Sequence, residues 1–313
     1  MSSKSGYEVA IKDCMAVRSD ETVLILTDDN RIEIGNKLYE VAKKFAKEAV
    51  LMVMKPRSVS GEEPPDVVAK AMENFDVIIC PTTTSITHTN AKINAVKKGA
   101  RLASMPGITE DMFEEGGITA DYDEVERLTL EFTKLLTNAK IAKIVKQGHV
   151  LEMSLEGRKG VPSPGVYRNP GEAGNLPSGE AYIAPLEDAV NGTMIIDGSM
   201  VGIGKLKSPL YIEVKDGKLV KLEGEDAYKA QVLFENPNNS TVAELGIGTN
   251  PAARLTGVIL EDEKIYGTVH VAFGTNTSFG GINKADCHLD GVIMNPTLYL
   301  DDKLVLEDGK IVI

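Results

Sequence analysis

Short apolar runs alternate with amphipathic stretches through the first half of the chain. Thr22-Val-Leu-Ile-Leu-Thr27 reads as a buried strand closed by the turn residues Asp28-Asp29-Asn30. Ile34, Leu38, Val41 and Phe45 then recur at helical spacing up to Lys47. Residues 49–54 predict a second strand, 64–74 a helix and 76–80 a third strand. A short helix follows near 90–98, then a strand over 100–104 and a longer amphipathic helix over 121–138. Strands alternating with helices predict a parallel sheet of doubly wound type. Ligands on such sheets gather at the carboxyl ends of the strands. The chain offers Pro81-Thr-Thr-Thr-Ser85 with His88 there, and also Ser104-Met-Pro-Gly107. No G-x-G-x-x-G follows the first strand, so a dinucleotide cofactor is not indicated.

After Gln147-Gly148 the texture changes. Asn191-Gly192, Asp197-Gly198, Asp216-Gly217 and Asp308-Gly309 sit between short alternating runs, which is the pattern of hairpins. One helix is expected near 226–234. The expected architecture is α/β plus α+β: a doubly wound parallel-sheet domain over 1–147, then a β-rich domain with antiparallel pairing over 148–313.

Composition narrows the class. The net charge is −12 over 313 residues and no basic face is evident, which argues against a nucleic-acid partner. No run approaches the roughly 20 apolar residues that span a bilayer. The first residues carry no apolar segment of the secretory kind. Cys14, Cys80 and Cys287 are odd in number and widely spaced, which suits a reducing cytoplasm better than a disulfide framework.

The candidate chemistry lies in the second half. In a strand over 267–274, Thr268, His270 and Ala272 share one face, and Val269, Val271 and Phe273 share the apolar other. His288 and Asp290 likewise fall on one face, and an imidazole beside a carboxylate suits a divalent metal. Taken alone, an H-x-D pair is more readily a surface hydrogen-bonded pair. Cys287 should point away from His288 and is not read as a nucleophile. Glu244 stands among Val242, Ala243, Leu245 and Ile247, where a glutamate is expected to be paired or ligated. Glu180, next to Ser178-Gly179, is either a turn residue or a second such acid.

The segments 175–185, 244–251, 267–274 and 287–290, in that order, resemble the M29 metalloaminopeptidases of the aminopeptidase T and AmpS type. The stretch from His88-Thr-Asn-Ala to Gly99-Ala-Arg-Leu-Ala-Ser-Met-Pro-Gly107 is similar to their N-terminal domain. The resemblance implies a homodimer with a co-catalytic dimetal site (zinc, cobalt or manganese) held by Glu180, Glu244, His270, His288 and Asp290. It implies removal of N-terminal residues from short peptides, with Glu180 or Glu244 as general base. His88, set after the third strand, is expected either to flank the following helix among the capping residues Thr87, Thr89 and Asn90 or to contact substrate at the rim of the cleft. The chain departs from that family in being shorter, and in having Phe279 but no tyrosine in 274–281.

The same superfamily resemblance includes mononuclear Fe(II) ring-cleaving dioxygenases of the 2,5-dihydroxypyridine type. In that reading His270, His288 and Asp290 form a two-histidine, one-carboxylate triad. Charge favours the dimetal reading. Three carboxylates and two neutral imidazoles sum to three negative charges, which two dications and a hydroxide balance. A single Fe(II) leaves Glu180 and Glu244 in need of other partners. A third reading, a metal-stabilised binding protein without catalysis, rests on the missing tyrosine.

Overall fold

A computed structural model describes residues 4–313. By contacts they divide into two compact units, one running up to Asp123 with Gly165–Ser178 added, the other comprising Glu124–Pro164 and Gly179–Ile313. The chain thus passes between the units three times, where the sequence predicts a single division at 147.

The first unit holds a five-stranded, wholly parallel sheet. Its strands lie in the order Glu48–Met54, Thr22–Asp28, Val77–Thr82, Arg101–Pro106, Ala173–Asn175. The reversal of direction at Thr22–Asp28 is the doubly wound order that alternating strands and helices predict. Helix Ile32–Ala42 buries Ile34, Leu38 and Ala42, one face at four-residue spacing. It stops a turn before Phe45, because Lys44 and Phe45 donate to carbonyls three residues back and tighten the end into a turn. Beneath the sheet, Leu24, Leu26, Ile78 and Leu102 pack with Val68, Met72, Ala91 and Ala95 from the helices. Arg101 is buried at the start of its strand, and both of its terminal nitrogens lie 2.8 Å from Glu21 carboxylate oxygens. The pair leaves neither charge unpaired in the core.

The second unit is β-rich, with two antiparallel sheets of eight and seven strands. Two of the four expected hairpins are present. Asp216-Gly217 joins Leu210–Lys215 to Lys218–Glu223 through two residues of positive φ, 47° and 73°, the geometry of a type I′ turn. Asp308-Gly309 does the same for Lys303–Glu307 and Lys310–Ile311. Gln147-Gly148 is itself such a turn, joining Ile141–Lys146 to His149–Ser154 inside the eight-stranded sheet. The sequence therefore marks a hairpin there. Asn191-Gly192 lies within strand Val190–Ile196, and at Asp197-Gly198 the chain leaves that strand for the other sheet, where Met200 pairs with Gly291. The helix expected near 226–234 is a 3₁₀ turn over Ala227–Ala230 followed by the short helix Val232–Glu235.

One apolar cluster joins the two sheets. It contains Leu151, Met194 and Ile212 of the eight-stranded sheet, Leu245, Val271 and Phe273 of the seven-stranded one, and Phe132 and Leu136 of helix Tyr122–Asn138. The architecture is α/β followed by a β-rich unit, as the alternation and turn patterns predict.

Candidate metal centre

Four neighbouring strands of the seven-stranded sheet carry the candidates: Glu180–Ile183, Val242–Gly248, Val269–Gly274 and His288–Ile293. Residues directly opposite in an antiparallel pair share a face. Glu180 opposes Gly248, Gly246 opposes His270, and Glu244 opposes Ala272. Ala272 in turn opposes Asp290, and Gly274 opposes His288. All five candidates therefore stand on one face. The other face carries Ile183, Leu245, Ile247, Val269, Val271 and Phe273 into the core. Alternation alone produces this division, because the apolar residues hold the strands in register against the second sheet.

Small residues between the donors make room for them. A Cβ on Gly246 would lie 1.9 Å from His270 Nε2 and 2.2 Å from its Cε1. Nothing larger than glycine fits opposite that imidazole.

The five heads converge. His270 Nε2 stands 3.3 Å from Glu244 Oε1 and 3.4 Å from Glu180 Oε2. His288 Nε2 stands 3.4 Å from Glu244 Oε2 and 3.5 Å from Asp290 Oδ1. Donor atoms of Glu244, His270 and Asp290 all lie within 4.8 Å of one another. With metal–donor bonds of about 2.0–2.2 Å, neighbouring donors on one ion stand about 3 Å apart, so this spacing suits a single divalent ion. His288 Nδ1 lies 2.8 Å from the Thr275 carbonyl. A carbonyl only accepts, so Nδ1 carries the hydrogen and Nε2 turns its lone pair to the pocket, the usual outer partner of a metal-bound histidine.

Electrostatics point the same way. Burial opposes a charge on His270, but the hydrogen bond to Glu244 and the charges of Glu180, Glu263 and Glu244 outweigh it and push its pKa up to about 9. His288 is raised too, burial being overcome by Asp290 and Glu244. Burial would lift the Asp290 and Glu244 carboxyls, yet the facing imidazoles hold both below their ordinary values. A pocket that binds protons this strongly has an excess of negative charge, and the same field attracts a dication.

Two residues absent from the sequence expectations complete the site. Lys264 is fully buried, and its Nζ lies 2.6 Å from Glu180 Oε1 and in contact with Glu263 Oε1. Glu180 thus has a cationic partner, which the charge argument for two metals lacked. Glu263 is pushed up to about 8, by burial first and by Glu180 and Asp290 after it, with Lys264 opposing. An aromatic group borders the same face. Tyr182 opposes Gly246, and Phe279 meets Tyr182 edge-on at 5.3 Å and His288 edge-on at 5.9 Å. Glu263 and Lys264 carry no signal in the sequence, lying in the charged run Glu261-Asp262-Glu263-Lys264. Tyr182 could have been found by parity with Glu180.

His88 lies in the first unit, exposed, in the turn before helix Asn90–Lys97. The capping contact there is made by Thr89, whose Oγ1 accepts from the Lys92 N–H. Cys287 packs against the core cluster.

Residues 7–313 match the family described as NicX, 2,5-dihydroxypyridine 5,6-dioxygenase. The chain belongs to that family. It is 26% identical over 265 residues to the 2,5-dihydroxypyridine 5,6-dioxygenase of Pseudomonas putida KT2440, covering 78% of this chain and 73% of that one. The solved structure of 2,5-dihydroxypyridine dioxygenase from the same organism has a TM-score of 0.79 at 22% identity, over 98% of this chain and 96% of that one. AmpT from Thermus thermophilus has a TM-score of 0.74 at 14% identity, over 98% and 99%. The likeness to AmpT is one of fold. The family match overturns the metalloaminopeptidase expectation, and with it the assignment to the hydrolases and to peptide substrates. Among the described residues, no helix is long and apolar enough to cross a membrane.

Proposed function

We propose that this chain is a mononuclear, non-haem Fe(II) dioxygenase that opens the ring of 2,5-dihydroxypyridine or a close aromatic diol, with His270, His288 and Asp290 as iron ligands. The observation that carries the reading is that His270, His288 and Asp290 stand on one sheet face, both imidazoles beside Glu244 and His288 beside Asp290, in a member of this family. Iron(II), when bound, supplies the one-electron chemistry that lets oxygen react with a closed-shell ring. The rest is the work of the side chains. The Thr275 carbonyl fixes the His288 tautomer. Glu244, between the two imidazoles, is placed to take the proton of a ring hydroxyl or to serve as a fourth ligand. Tyr182 and Phe279 offer a flat ring an aromatic wall. For His88 a contact with substrate is proposed from its place after the third parallel strand alone.

The test is oxygen uptake. Protein loaded anaerobically with Fe(II) is expected to consume oxygen on addition of 2,5-dihydroxypyridine, with loss of the ring absorbance. His288→Ala and Asp290→Ala are expected to abolish both iron retention and uptake. Folded, iron-loaded protein that leaves the diol untouched refutes the reading.

A further inference from the structure

Two groups of donors meet at His270. Glu244, His270 and Asp290 form one; Glu180, Glu263 and His270 form the other, and in each the donor atoms lie within 4.8 Å of one another. The two carboxylates of the second group, beside an imidazole whose single Nε2 lone pair serves one ion, would by themselves make a second cation position next to the first.

That position is taken by a side chain. We propose that Lys264 is a built-in cation that fills the second position and limits the centre to one metal ion. The proposal rests on the one-metal reading above and explains what enforces it. Lys264 Nζ touches both carboxylates of the second group, at 2.6 Å from Glu180 Oε1 and in contact with Glu263 Oε1. The other oxygen of Glu180 turns to His270 Nε2 at 3.4 Å, so one carboxylate bridges the ammonium and the imidazole. A dication held by the same oxygens would stand about 2.0–2.2 Å from them, in the space the ammonium occupies. The two exclude each other.

The backbone that carries the ammonium is anchored on both sides. The Lys264 N–H donates to the Glu261 carbonyl, and its own carbonyl accepts from Asn250 N–H, both at 2.9 Å. Its side chain has no exposure, so it cannot swing out to admit an ion. Remove the charge, and two carboxylates face each other in a largely buried site, where a proton or a metal ion must stand between them. Lys264 is in this sense a residue that decides the chemistry without touching the reacting atoms. One ion with open positions suits oxygen and a ring diol; a pair of adjacent ions suits making hydroxide from water.

The experiment is metal stoichiometry. Parent protein and Lys264→Met are dialysed to equilibrium against Mn(II) and, separately, Zn(II), and bound metal is counted by elemental analysis. The parent is expected to hold one ion per chain and the variant two, while Lys264→Arg stays at one. The melting temperature of Lys264→Met is expected to rise on metal addition by more than that of the parent, because its second ion replaces the lost charge. The double variant with Glu263→Gln, which removes an anion along with the cation, is expected to fold without metal and to bind one ion. A parent that binds two ions refutes the one-metal reading itself. A parent and Lys264→Met that both bind one overturn the role of Lys264 alone, and so does a single variant that neither metal can recover in folded form.

Discussion

Gly246→Ala tests the centre through a single methyl group. The added Cβ would meet His270 Nε2 at 1.9 Å, Cε1 at 2.2 Å and Cδ2 at 2.6 Å, whereas ordinary contacts begin near 3.4 Å. The ring must therefore retreat by about 1.5 Å, the difference between those distances. His270 is fully buried on a central strand, with Glu244 and Glu180 on its open side, so there is nowhere to retreat without leaving the donor set. Overpacking of this kind costs about 1–3 kcal/mol of fold stability. The larger effect is on the metal. Disturbing even an outer partner of a ligand weakens binding about 10–100-fold, and here a ligand itself is displaced. A loss of at least about 100-fold is expected, or about 2.8 kcal/mol. Mn(II) affinity by competition with a fluorescent chelator gives the number, and circular dichroism gives the melting temperature. The change should be non-additive: in a His270→Ala background the imidazole is gone, and Gly246→Ala should cost little more. A Gly246→Ala protein that binds Mn(II) as the parent does would refute the steric argument.

Without metal, stability should fall as pH rises from about 6.5 to about 9. The folded state raises His270 from its ordinary 6.5 to about 9, so it binds a proton that the unfolded chain releases earlier; the contribution is full below 6.5 and lost above 9, at most about 3 kcal/mol. Glu263, raised to about 8, acts in the same direction over a window that opens near 4.5, and saturating Mn(II) should flatten the slope; a melting temperature of the metal-free protein that climbs over this range contradicts the charge balance of the pocket. Phe279→Leu and Tyr182→Leu should raise KM for the diol more than they lower kcat, by several-fold, because they remove aromatic wall contacts and leave the ligands in place; unchanged KM in both places the ring elsewhere. His88→Ala should lower turnover without changing bound iron, and turnover equal to the parent's would dismiss its contact with substrate.

What the sequence shows well is local. Val23–Leu26 and Val77–Cys80 are unbroken apolar runs, and their burial follows from composition alone. The donors are legible in type and order, since period-two alternation places His270 opposite the apolar set and His288 with Asp290. Pairing across the sheet is less visible. Asn191-Gly192 reads as a turn, yet the glycine serves a close approach within a strand, where a Cβ would meet the Val150 carbonyl at 2.1 Å. Glu263 and Lys264 lie in a run of charge that matches no motif, and their place at the centre is seen only in the pairing of Lys264 with Glu180, from a distant strand. This is also why the motifs pointed to the wrong reaction. The donor motifs fit both a peptidase and a dioxygenase, and the residue that separates one cation position from two lies outside every one of them.

The donors come from strands spread between Glu180 and Asp290, 110 positions apart along the chain, yet they stand on four consecutive strands of one sheet. Any ion at the centre therefore acts as a clasp on strand order. It cannot be seated until His288–Ile293 has docked beside Val269–Gly274, which makes ion capture a late event in folding. A slip of that strand by one residue would send His288 and Asp290 into the apolar layer and carry Leu289 to the open side. Ion release should accordingly follow the opening rate of this one strand. Amide exchange along 288–293 and metal loss to a chelator would then proceed on a common clock.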